Sequence, residues 1–223
     1  MSTYLSDNYA KFFMDLAPNN NSEWFNINRK RYENDVKIPF QKLVGDLVQK
    51  LAEVDNNLTG LKPSDCIFRI NRDIRFSKDK TPYKLQMSAA IAPGGRKNMS
   101  YPGFYFEATP EGINIYGGVY MAEKQQLENL RNHIAANLKK FETLLNETAF
   151  KSHYNGEILG EKQSRLAPEL KEAAAKQPLL FNKQFYFKAS LDESVLTKDN
   201  LPEILCEYFV AARPVSRFLA DGL

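Results

Sequence analysis

The chain has 223 residues, enough for one medium-sized domain, and its 43% hydrophobic content, with 15 Phe and 11 Tyr, supports a core that needs no metal or disulfide staple. Against 27 Asp and Glu, 30 Lys and Arg leave a net charge of +3, which excludes a histone-like polycation and confines any polyanion contact to a local patch. No apolar run approaches the length of a membrane span, and the opening Met1 to Asn8 lacks the basic and apolar regions of a secretory signal, so the expectation is a soluble, cytoplasmic protein with no membrane partner.

The first third reads as helical. Tyr9, Phe12, Phe13 and Leu16 fall at i, i+3, i+4 and i+7, with Ser6 or Asp7 placed to cap the helix and Pro18 to end it. Asn21 or Ser22 caps a second helix that carries Trp24, Phe25 and Tyr32. A third has Pro39 in its first turn and a stripe of Phe40, Leu43, Val44, Leu47, Val48 and Leu51, ended by Asp55-Asn56-Asn57.

The pattern then changes to a period of two. A strand-like run covers Cys66 to Ile70; Leu85, Met87, Ala89 and Ile91 alternate with Gln86, Ser88 and Ala90; residues 103–119 form a hairpin turning at Thr109-Pro110-Glu111-Gly112. A helix follows with Leu127, Leu130, Ile134, Leu138 and Phe141 on its buried side. Residues 150–182 are the least regular, Phe185 to Ala189 is a further strand, and a last helix starts at Asn200 or Leu201. Helices, then strands, then helices predict one α+β domain: helical over 5–57, mainly strands over 65–120, and helices with one more strand over 121–223. Its antiparallel sheet has about four to six strands. Cys66 and Cys206 both read as small core residues, in keeping with a reducing compartment.

The charge is not evenly spread. Residues 69–84 hold Arg69, Arg72, Arg75, Lys78, Lys80 and Lys84 against Asp73 and Asp79, so this segment carries 6 − 2 = +4 while the rest of the chain sums to −1. Guanidinium forks suit bidentate binding of phosphate or carboxylate. Alternating Arg and Asp also pair across strands, the commonest use of such a pattern, but a fully self-satisfied ladder would balance its charges. The expected ligand site therefore comprises Arg69, Asn71, Arg72, Asp73, Arg75, Lys78, Lys80, Tyr83 and Lys84, with Arg96 added from the Gly94-Gly95-Arg96-Lys97 turn. Thr81-Pro82 imposes an extended exit and rules out a helix starting at Ser77, so Ser77-Lys78-Asp79-Lys80 is not the Ser-x-x-Lys element of penicillin-interactive enzymes.

Elsewhere the chemistry is sparse. His133 and His153 lie in different elements, no Cys or His pair has zinc spacing, and no metal or cofactor is implied. Pro102-Gly103-Phe104-Tyr105-Phe106 resembles the aromatic strand of RNA-recognition domains, but Tyr105 stands where a small residue belongs and the βαββαβ order is missing. Tyr83, Tyr101, Tyr105, Tyr116 and Tyr120 are aromatic enough to stack bases, although such residues more often pack a sheet.

Asn19 to Phe25, the run Phe68 to Lys84, Ala92-Pro93-Gly94-Gly95-Arg96, and Gly117-Gly118 through Met121 into Leu130-Arg131 together give the chain a resemblance to a family, domain of unknown function 2461. The resemblance spans nearly the full length and is most distinct in Arg72-Asp73 through Lys84; Ser22 stands where the family pattern has a basic residue. It implies a self-contained unit and brings no substrate, cofactor or catalytic residue. Three functional expectations stand: a binding module for an anionic ligand (a phosphorylated small molecule or nucleic acid), an enzyme acting on a phosphate ester or other anionic substrate with Asp73 or Asp79 as base or metal ligand, and a structural or interaction protein without a small ligand.

Overall fold

A computed structural model describes residues 4–98 and 100–223; Met1, Ser2 and Thr3 of the opening stretch lie outside them. The fold is α+β, with a four-stranded antiparallel sheet in the order β1-β2-β3-β4: β1 Met87–Ile91, β2 Phe104–Thr109, β3 Gly112–Val119 and β4 Phe185–Asp192. The chain forms two compact units. The first takes residues up to Arg96 with Tyr105–Ile115 and Ser190–Cys206; the second takes Lys97–Phe104, Tyr116–Ala189 and Glu207–Leu223. Among the described residues no helix is long and apolar enough to cross a membrane.

In the first unit, α1 spans Asp7–Leu16 and buries the four residues of its predicted stripe. Ser6 is its N-cap through its backbone carbonyl, which accepts the Tyr9 amide at 2.8 Å, while its side chain makes no cap bond. The Tyr9 hydroxyl, fully buried, donates to the Ala108 carbonyl at 2.8 Å and accepts the Met87 amide at 3.3 Å, which ties α1 to β2 and β1. Asn21 caps α2 (Ser22–Ile27) by accepting the Trp24 amide at 3.0 Å. The second predicted helix is broken at Asn28, whose side chain donates to the Trp24 carbonyl at 3.0 Å and competes with the helical ladder. Past the break come the short α3 (Arg29–Arg31), a π-helical stretch Tyr32–Lys37, and α4 (Ile38–Val54), which buries all six residues of the stripe read from sequence. The first unit's core joins these to Met87, Ala89, Ile91, Phe106 and Ala108.

One element differs in kind. Cys66 closes a short helix, α5 (Pro63–Cys66), and the run after it forms only isolated bridges rather than a strand. Cys66 is fully buried and its thiol is pushed up to about 12 by burial; Cys206 is half-buried.

In the second unit the predicted helix over Leu127 to Phe141 is two helices, α6 (Lys124–Ala136) and α7 (Leu138–Asn146). They part at Asn137, whose side chain donates to the His133 carbonyl at 2.8 Å, as at Asn28. Then follow α8 (Thr148–Tyr154) and α9 (Lys171–Lys176). The last helix, α10 (Leu201–Ala220), starts in the first unit and runs on through Pro214. Pro214 removes one ladder bond, yet Ala211, Ala212, Val215, Phe218 and Leu219 are buried around it and hold the helix together. Phe150, Tyr154 and Phe187 form one buried aromatic cluster of this unit, and Phe141 and Phe218 a stacked pair.

Candidate functional site

The basic segment is a loop closed by its own flanks. Ile67 bridges Ala89, the Phe68 amide donates to the Ser88 carbonyl at 2.9 Å, the Lys84 amide to Ile70 at 2.9 Å, Asn71 bridges Tyr83, and the Arg72 amide donates to Pro82 at 2.9 Å. Between the bridge at 67/89 and the bond at 70/84 one side advances 70 − 67 = 3 residues and the other 89 − 84 = 5. The two extra residues form a bulge at Leu85-Gln86, which ends the regular ladder and turns Leu85 out to 38% exposure instead of into the core stripe. Beyond Arg72 and Pro82, residues 73–81 project as the loop.

Both acids of the loop accept several bonds. Asp73 accepts Arg75 Nε at 3.0 Å and Nη2 at 2.7 Å, and its Oδ1 also accepts the Arg75 amide at 3.3 Å. Asp79 accepts the Thr81 amide at 2.9 Å and pairs through Oδ2 with Arg72 Nη1 at 2.5 Å. Arg72 further donates to the Thr81 carbonyl at 3.1 Å and to the Thr81 hydroxyl. The side-chain and backbone bonds from Arg75 hold Asp73 down to about 2, and the Thr81 amide with the Arg72 guanidinium holds Asp79 down to about 2. Lys80 Nζ donates to the Ile74 carbonyl at 3.0 Å, closing the loop mouth with a cation on a neutral acceptor.

At the loop's base, Tyr83 turns inward: it is 8% exposed and its ring stacks on Phe25 at 4.1 Å between centroids. Asn20 grips the Tyr83 backbone from both sides, donating to its carbonyl at 2.9 Å and accepting its amide at 3.1 Å. Lys84 lies with Nζ 5.3 Å above the Phe68 ring, and burial lowers its pKa while Glu107 pulls the other way. Phe68 meets Tyr105 edge-on, and the Tyr105 hydroxyl donates to Glu107 at 2.5 Å. Among the described residues, Arg69, Lys78, Lys80 and Lys84 have no carboxylate within ion-pair distance. Asn71 is exposed and enters the site through its backbone bridge.

Arg96 stands apart. Its guanidinium donates to the Ser64 carbonyl, and the antiparallel pairing puts Ser64 at the end of the hairpin opposite the loop. The turn before it needs Gly95: φ is +68° and a Cβ there would come 2.5 Å from the Asp65 carbonyl oxygen. The structure thus gathers Arg69 through Lys84 on one hairpin and leaves Arg96 to fasten α5.

A family model described as conserved hypothetical protein (DUF2461) matches residues 8–218, which takes in both units and the whole basic loop. The chain belongs to this family. No curated protein matches it.

Some contributors escape a reading of the charge pattern. Thr81 is legible in retrospect, because Asp-x-Thr, like Asp73-x-Arg75, is the spacing of an Asx turn. Asn20 sits in an asparagine run and gives no sign of its distant partner. Phe76 follows Ile74 at strand spacing and so suggests burial, but is 94% exposed. In the second unit Arg131 occupies the buried stripe of α6, with Leu127 four residues before it and Ile134 three after. It is 8% exposed and donates to the Asn182 carbonyl at 2.8 Å; its Nε has no partner among the described residues, and burial lowers its pKa.

Proposed function

We propose that the chain is a binding module for an anionic ligand, a phosphorylated small molecule or nucleic acid, and that the hairpin carrying Arg69 to Lys84 is its binding surface. The observation that carries this reading is the unequal charge count in the loop. Arg72 and Arg75 take both acids for internal order, and among the described residues Arg69, Lys78, Lys80 and Lys84 have no carboxylate within ion-pair distance. A frame tied by its own hydrogen bonds and carrying surplus cations lowers the ordering cost that an anion's binding would otherwise bear. An enzymatic reading would use Asp73 or Asp79 as a base or metal ligand. Both carboxylates are already engaged by arginine and backbone donors, which hold them near 2 and leave them weak bases at neutral pH with their oxygens occupied, so binding is the preferred reading.

A thermal-shift screen against nucleotides, phosphorylated metabolites and oligonucleotides at low salt tests it. A ligand at a hundred times its Kd adds about 2.7 kcal/mol of stability. The shift should vanish in the R69Q/K78Q/K84Q variant, and with nucleic acid the slope of log affinity on log salt should be about 0.7–0.9 per phosphate contact. No shift with any anion, or an equal shift in the variant, would overturn the reading.

A further inference from the structure

Phe76 is the most exposed large apolar side chain among the described residues, at 94%, and it stands in the middle of the loop between Arg75 and Lys78. Its setting is built. Asp73 holds the Arg75 guanidinium through two bonds, at 3.0 and 2.7 Å, and that guanidinium lies over the Phe76 ring at 5.7 Å from its centroid. The guanidinium stands off one side of the ring without covering it, and the 94% exposure leaves the ring open to solvent. Lys80, four residues after Phe76, is bonded to the carbonyl of Ile74, two residues before it, and Lys78 follows Phe76 by two residues.

Resting on the anion-binding reading, we infer that the ligand is single-stranded nucleic acid, with one base stacked on the open face of Phe76 and the adjoining phosphates met by Lys78, Lys80 and Arg69. An inorganic phosphate has no use for an exposed aromatic, whereas every base offers a π-face to one. The same ring is a poor anchor for an anionic bilayer, because binding there scales with buried apolar area and Phe76 is the loop's only strongly exposed apolar side chain among the described residues. The site is tolerant of sequence: the loop offers a ring and charges, and stacking with phosphate contacts does not tell one base from another.

The test compares wild type with Phe76→Ala and Phe76→Tyr on three probes: a fluorescent oligo(dT), inorganic polyphosphate, and vesicles containing phosphatidylserine. So exposed a residue can be replaced with the fold intact, which circular dichroism checks. Expected is oligo(dT) binding that weakens about 10-fold or more in Phe76→Ala and is restored in Phe76→Tyr, with polyphosphate binding equal in all three proteins. Oligo(dT) and polyphosphate binding both untouched by Phe76→Ala would overturn the stacking inference and leave the anion-binding reading standing. Vesicle binding that depends on Phe76, without oligo(dT) binding, would overturn it in favour of a lipid surface. Binding of none of the probes would overturn this inference together with the reading beneath it.

Discussion

Asp79 fastens Arg72 across the loop: Oδ2 lies 2.5 Å from Arg72 Nη1 while Oδ1 accepts the Thr81 amide at 2.9 Å. The pair is exposed on the carboxylate side, so it orders the loop and adds little to global stability. Arg72→Met should shift Tm by less than about 4 °C and speed amide exchange across residues 73–81 while leaving the Tyr83 amide protected. A much larger fall in Tm would show that the pair supports the core.

The two loop acids give the segment a pH signature. Both carboxyls lie at about 2 in the fold against an ordinary 3.8, so between these values the unfolded chain binds more protons than the folded one. Their contribution is complete above about pH 5 and is lost as pH falls through the unfolded value toward 2. Carboxyl-carbon chemical shifts followed from pH 6 to 1.5 should place both midpoints well below 3; midpoints near 4 would mean that the arginine pairs are not held in solution.

Tyr9 is the polar fastener of the first unit. Tyr9→Phe keeps the ring and removes a buried hydroxyl that serves two backbone groups, Ala108 O and Met87 N. A cost of about 1–3 kcal/mol is expected in urea unfolding at unchanged m-value. A change below a few tenths would show that these groups find other partners.

Gly112 opens β3 at φ +133°, and a Cβ there would run into the Leu191 carbonyl oxygen. Gly112→Ala combines backbone strain with a backbone clash that no rotamer relieves, for an expected loss of about 2–5 kcal/mol. Gly60→Ala, also at positive φ but with open space around its Cβ position, should cost clearly less in the same assay.

Helix stripes were the most readable feature because their period repeats over several turns, as in α4, and burial followed it residue by residue. Asparagine was harder to read. Asn28 and Asn137 each divide a continuous apolar stripe by donating to the carbonyl four residues back, a choice that propensity leaves open. The strand expected at Cys66 to Ile70 failed for a different reason: a two-residue bulge on its partner at Leu85-Gln86 is a register effect, invisible in either strand alone. The basic segment was visible as charge. Its internal division of labour, with two arginines spent on structure and one phenylalanine turned outward, depended on which atoms meet.

The hairpin that closes residues 73–81 is stitched mostly from chain neighbours, with Asn20, Phe25 and Tyr105 as outside holds. A segment held this way answers mainly to its own bonds, so substitutions on its outer side chains report on the loop itself while the helices and sheet have little need to readjust.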